Sequence, residues 1–224
     1  RSAGILVLGL RGEAPWHAQP VIYSHADGQS LALLAYSWRP RQYGNGPPPY
    51  AEVDEEAVLA DVARARASYD GVIVSLHWGV EFVDRPSVSE VGFAHAIADV
   101  GADLVLGHHP HVVRPVERRA RTVIAYSLGN CVCDMLWQEP LRRGFLLETE
   151  LAPTAVSVRL TDTRVDDRYR VRLVGDSVRE VQEGTVKGLE MAEYHARTSS
   201  GLRRQRVAAY SYAARNLLRF PPAI

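Results

Sequence analysis

Between residues 31 and 106 the chain alternates short apolar runs with segments of helical spacing, and this restricts the fold more than any other feature of its 224 residues. Residues 31–36, 72–76 and 104–106 are nearly continuous apolar runs, as expected of strands buried on both faces. Asp54 opens a helix in which Val58, Val62, Ala65 and Tyr69 share one face, and Gly71 ends it. Ser87 and Glu90, three residues apart, form a capping box for a second helix. That helix turns Phe93, Ile97 and Val100 inward and stops at Gly101. Strand, helix, strand, helix, strand predicts a parallel sheet with right-handed crossovers.

Around this centre, residues 4–10 read as a strand. Asp27-Gly28 reads as the turn of a hairpin between residues 21–24 and 31–36. Residues 39–50, rich in Pro, Gly and Asn, read as a loop. Residues 122–128 are a further apolar strand. From Gly144 onward, strands at 144–151, 155–160 and 168–174 follow one another without helices and are expected to be antiparallel. Residues 176–220 read as helical or irregular, with a helix from Leu202 to Leu218. The expected organisation is an α/β domain over residues 1–175 and a helical extension over residues 176–224 packed on it.

Hydrophobic residues make up 46% of the chain, enough for one domain with a substantial core. Twenty-six basic residues balance 26 acidic ones, so no electrostatic argument favours nucleic acid as a partner. No apolar run is long enough to cross a bilayer, and no leader is visible. The chain also lacks an initiator Met and is read as a piece of a longer protein. Cys131 and Cys133 stand too close for an unstrained bridge and read as two small core side chains. Arg203, Arg204, Arg206, Arg215 and Arg219 mark the last helix, whose apolar stripe is expected to pack on the domain rather than on a membrane.

Chemistry gathers where the parallel strands end. Residues 72–76 run into His77-Trp78-Gly79, residues 104–106 into Gly107-His108-His109-Pro110-His111, and residues 122–128 into Gly129-Asn130. Ligands of such sheets bind beyond the carboxyl ends of the strands, so one rim receives four of the eight histidines. Imidazole is a neutral ligand for borderline divalent ions, and Pro110 fixes the backbone between two ligating rings. His77, His109 and His111 are the expected metal ligands, with His108 as an alternate, for an ion of the manganese, zinc or iron class. Glu81 reads either as a partner that orients an imidazole or as a solvated loop carboxylate. Asn130 reads either as a phosphate or metal contact or as a turn residue, and Trp78 as a neighbour of the site or of substrate. His17, His25, His95 and His195 lack such company and read as surface or packing residues.

Three ordered motifs, Val72-Ile-Val-Ser-Leu-His77-Trp-Gly-Val-Glu81, Gly101-Ala-Asp-Leu-Val-Leu-Gly107-His-His-Pro-His111-Val and Ala125-Tyr-Ser-Leu-Gly129-Asn130, resemble the CapA family of poly-γ-glutamate capsule synthesis. The resemblance runs from about Val21 to Asp134. It implies a calcineurin-like two-sheet sandwich flanked by helices, in four layers (αββα), here in part. It also implies a metallophosphoesterase-like hydrolase, with His77 as the isolated downstream histidine and His109 and His111 as the paired ones. The wider family adds Asp-x-His, Gly-Asp and Asn-His motifs upstream, and none precedes His77 here. The chain alone is therefore expected to be weakly active or inactive. An anionic polymer or a phosphoester is the implied substrate. Capsule-synthesis membrane proteins are the implied neighbours and the cell envelope the implied place. The alternative is a non-catalytic assembly or export component that binds an anionic polymer.

Overall fold

The computed structural model describes residues 4–12, 17–38, 49–152, 155–178 and 181–219. In chain order the elements are β1 (Val21–Ser24), β2 (Ser30–Ser37), α1 (Glu55–Ser68), β3 (Gly71–His77), α2 (Val88–Val100), β4 (Leu104–His108), β5 (Val116–Arg119), β6 (Thr122–Ala125), β7 (Arg143–Leu151), β8 (Val156–Val165), β9 (Val171–Val178), β10 (Gln182–Glu183) and α3 (Met191–Arg219). A 3-10 turn, Glu139–Arg142, leads into β7.

The local signals act as the sequence requires. The Asp54 side chain accepts from the Ala57 amide at 2.9 Å and caps α1. Ser87 and Glu90 exchange both bonds of the capping box at the start of α2. Seven strands form one sheet in the order β1-β2-β3-β4-β6-β5-β10. Its central strands β2, β3, β4 and β6 are parallel, and the β1–β2 hairpin closes one edge. A second, antiparallel sheet holds β7, β8 and β9.

Helices α1 and α2 cover one face of the large sheet, burying Val58, Val62, Phe93 and Ile97 against Val72, Val74, Leu76 and Val105. The small sheet packs on the other face, where Phe145, Val156 and Leu160 meet Leu104, Val116, Val123 and Ala125. Each such fully buried aliphatic side chain contributes roughly 1.5–3 kcal/mol. The result is an α/β two-sheet sandwich with helices outside the larger sheet. Helix α3 crosses the loops at the carboxyl end of the parallel strands, placing Tyr194 against Val80, Val83 and Leu189. Trp78 stacks on Tyr126 at 6.0 Å beneath that end.

Four expectations are corrected. Residues 4–10 form no strand. Leu10 alone makes a bridge, to Tyr50, and Ile5, Leu6 and Val7 are exposed, because among the described residues no strand pairs with the run along its length. The strand expected over residues 122–128 pairs through Ala125, after which single bridges from Leu128 and Gly129 continue the path. Cys131 is therefore exposed and Cys133 half-buried, both free, instead of filling the core. Helix α3 begins at Met191, eleven residues before the expected start at Leu202. The sequence reading also missed β5, whose Val-Glu-Arg-Arg looks polar although Val116 and Glu117 are buried. Most of the loop expected at residues 39–50 lies outside the described residues.

Candidate metal centre

Strands β3 and β4 run side by side with His77 opposite His108, so the two loops that follow them leave the sheet together. They are stitched to each other. The Trp78 amide donates to the His108 carbonyl at 3.1 Å, and the Phe82 amide to the Pro110 carbonyl at 2.8 Å. Gly107 permits this approach: a Cβ there would stand 2.1 Å from the Tyr126 carbonyl oxygen and 2.5 Å from the Trp78 ring nitrogen.

The turn then gathers Glu81, His109 and His111, whose ligating atoms all lie within 4.8 Å of one another. His109 is buried, and His111 and Glu81 are half-buried. His109 has φ 99°, His111 φ 60° and Phe82 φ 67°, in the left-handed region that side chains avoid. Backbone strain of this kind, here at both imidazoles on either side of Pro110, recurs at functional sites.

Asn130 settles the state of one ring. Its side-chain amide nitrogen donates to the Leu141 carbonyl at 2.8 Å, which leaves its oxygen, 3.0 Å from His111 Nδ1, as the acceptor. His111 Nδ1 therefore donates to that oxygen, and Nε2 is the nitrogen left to serve as a ligand, the arrangement that an outer hydrogen bond gives a ligating histidine.

The other expected residues take different places. The His77 ring is exposed at the end of β3, and its centroid lies 4.5 Å from that of His109. His108 is not in the Glu81 group. It lines a groove of about 460 Å³ with Leu106, Leu128 and Phe145. Burial first, and then the neighbouring His77, push the His108 imidazole below its ordinary value. Trp78, expected beside the site or substrate, is 0% exposed, and its ring nitrogen donates to the Tyr126 carbonyl. It packs under the turn and lines a small cavity with Trp38, Gly79 and Tyr194. His17 pairs with Asp61 and His95 with the buried Glu117, each at 2.8 Å, both away from the cluster.

Arg114 belongs to this end of the molecule and was missed in the sequence. Fully buried, it reaches the Val83 carbonyl at 2.8 Å, Glu90 at 2.6 Å and the Val80 carbonyl at 3.3 Å. No local pattern marked it, because its side-chain partners lie 24 to 80 positions away.

Two histidines and a carboxylate, with one imidazole oriented from behind, suit a borderline divalent cation. A cleft of about 580 Å³ adjoins the cluster at Phe82 and Val112, and Arg143, Arg197 and Arg204 line it together with Asp84 and Glu139.

The model of the bacterial capsule synthesis protein PGA_cap family matches residues 1–135. The PGA biosynthesis protein CapA of Bacillus subtilis (strain 168) is 35% identical over 120 residues, 52% of this chain and 32% of that protein. The capsule biosynthesis protein CapA of Bacillus anthracis is 35% identical over 127 residues, 52% of this chain and 30% of that protein. The matched part thus spans about a third of the length of either relative. Among solved structures, GAP50, the anchor in the inner membrane complex of Plasmodium, aligns with a TM-score of 0.37 at 11% identity, covering 82% of this chain and 60% of that one, too remote to bear on chemistry. The family match takes in β1 to β6 together with every member of the Glu81–His109–His111 cluster, and the chain belongs to the bacterial capsule synthesis protein PGA_cap family.

Proposed function

We propose that Glu81, His109 and His111 hold a divalent ion of the manganese, zinc or iron class, as part of a hydrolase site in a protein of poly-γ-glutamate capsule synthesis. The observation that carries this reading is the meeting of three ligating side chains from two loops at the carboxyl ends of adjacent parallel strands. A bound ion of this class polarises a carbonyl or phosphoryl oxygen and makes its water a nucleophile near neutral pH. The chain's own residues hold and orient. Asn130 fixes the His111 ring, Pro110 and the strained backbone aim both imidazoles, and His77 stands beside His109 to add a further nitrogen. The bond cleaved would be an amide or a phosphoester of an anionic polymer, led toward the cluster along the cleft that Arg143, Arg197 and Arg204 help to line.

Removing the Asn130 amide is expected to weaken metal binding. An Asn130→Ala variant should bind Mn²⁺ or Zn²⁺ about 10–100-fold less tightly, as for other outer partners of ligating histidines. Competition with a chromogenic chelator measures this, and an unchanged affinity would remove Asn130 from the site.

The cluster contains one carboxylate. Two cations a few ångströms apart repel strongly and need a bridging anion between them, so one ion rather than a clamped pair is expected. The chain as given should therefore hydrolyse a chromogenic phosphodiester or a γ-glutamyl anilide slowly, only with Mn²⁺ supplied, and not at all after His109→Ala. Turnover that ignores both the ion and His109 would overturn the reading. A second reading, a binding or export component for an anionic polymer, draws on the basic run of α3, which has no acidic residue after Glu193. Co-sedimentation with poly-γ-glutamate and no metal-dependent turnover would favour it.

A further inference from the structure

The metal cluster is formed by residues 81–111, yet the loop that presents Glu81 is held from the far end of the chain. Val80 sits next to Glu81, and its amide donates to the Tyr194 hydroxyl at 2.9 Å, across 114 positions of sequence. Arg114 completes the hold. It grips the carbonyls of Val80 and Val83, one on each side of Glu81, and its outer nitrogen also lies 3.4 Å from the Tyr194 oxygen. Glu90 neutralises Arg114 from the start of α2.

The turn is moulded onto this pair. Gly79 has φ 77°, and a Cβ there would stand 2.4 Å from the Glu90 carboxylate and 2.8 Å from an Arg114 nitrogen. Any other residue at 79 would lift the loop off its support. Tyr194 itself is buried with Val80, Val83 and Leu189. Burial, and then the Glu90 charge, push its phenol up to about 12, so the hydroxyl keeps its proton throughout the neutral range.

We propose that Tyr194 is a positioning residue for the metal site, its hydroxyl fixing the Val80 amide so that the loop presents Glu81 to the ion held by His109 and His111. This rests on the reading of Glu81, His109 and His111 as ligands. Tyr194 touches neither ion nor substrate. It acts through a backbone amide one residue from the ligand. Docking of α3 and affinity for the ion are then linked: whatever loosens the first turn of α3 weakens the site, and a bound ion holds that turn down.

The test uses the whole chain and Co²⁺ alone, whose visible absorption reports both affinity and coordination. Tyr194→Phe keeps the ring and removes only the hydroxyl. It is expected to bind Co²⁺ about tenfold less tightly, with a changed visible spectrum. In a Glu81→Gln background, the same substitution should cause no further loss. Hydrogen exchange of the metal-free protein gives a second readout, in which Tyr194→Phe should raise exchange in residues 80–83 and leave β3 and β4 protected. Unchanged Co²⁺ affinity, or an equal loss with and without Glu81, would overturn the proposal, since a merely structural tyrosine would lower the melting temperature in both backgrounds alike. If the unaltered chain binds no Co²⁺ yet exchange at 80–83 still rises in the variant, the ligand reading fails while the hold of Tyr194 on the loop stands. If exchange also stays put, that hold fails too.

Discussion

A variant with His109→Ala and His111→Ala is expected to come off the column without metal and to bind Zn²⁺ or Mn²⁺ less tightly than the parent by roughly four orders of magnitude or more. Zinc held by four protein ligands is worth roughly 10–16 kcal/mol in small domains, so each ligand carries a few kcal/mol, and two of three would be gone. What remains is Glu81 with His77 nearby, a pair that offers no enclosed shell. Elemental analysis after dialysis, with titration calorimetry for the residual affinity, measures the loss. Circular dichroism should change little, because both residues lie in a turn and the elements that hold it, β3, β4 and β6, are paired through other residues. Equal metal content in parent and variant would end the assignment of these two imidazoles. His108→Ala is the contrasting substitution: its ring faces the groove beside Leu106, so metal content should stay near that of the parent.

The largest effect on stability is expected from Arg114→Met. Arg114 is fully buried and Glu90 nearly so, and the two meet at 2.6 Å. Methionine fills much of the space but leaves the Glu90 carboxylate without its counter-charge in a dry interior, and it strips partners from the carbonyls of Val80 and Val83. Removing one member of a buried pair costs roughly 3–5 kcal/mol, a large fraction of the stability of a domain this size. Urea denaturation followed by far-ultraviolet dichroism reads this as a lowered midpoint. Glu90→Gln should also be costly, because its single amide oxygen can accept from Arg114 or from the Ser87 amide but not from both, and Arg114 loses its counter-charge. The double variant Arg114→Met, Glu90→Gln should fall short of the sum of the two, the coupling expected of groups in contact. A loss below about 1 kcal/mol for Arg114→Met would mean that water reaches Glu90 and that the pair is not buried as described.

What the sequence disclosed followed the range of each interaction. The helix caps, the apolar strands and the delivery of His77, His109 and His111 to one rim are set by residues within a few positions of one another, and the parallel topology then follows from chain handedness. Where partners are distant, the pattern is silent. Val-Glu-Arg-Arg gives no sign of being β5, because the partners of the buried Glu117 are distant: His95 on α2 and Tyr126 just past the end of β6. The apolar run at residues 4–10 looks like a strand because composition records propensity and not the presence of a neighbour to pair with. The early start of α3 was hidden by Thr198-Ser199-Ser200-Gly201, poor helix formers that are helical here while Tyr194 and Arg197 anchor the turns before them. Glu81 gave a partial signal, its spacing of four from His77, but the loop's path across Pro110 had to be seen to bring it to His109 and His111.

The last helix also carries an optical consequence. Trp38 and Trp78 lie in the main core with Phe93 and Tyr126, whereas Trp137 stands against α3, donating to Gln205 at 2.8 Å and lying 6.5 Å from the Tyr212 ring. The indoles of the described residues thus divide between the main core and the face of α3. Departure of α3 would expose Trp137 to water and shift its emission to the red while the other two continued to fluoresce as buried chromophores. A Trp137→Phe variant subtracts that component, so a steady-state spectrum can separate detachment of the helix from melting of the sheet beneath it.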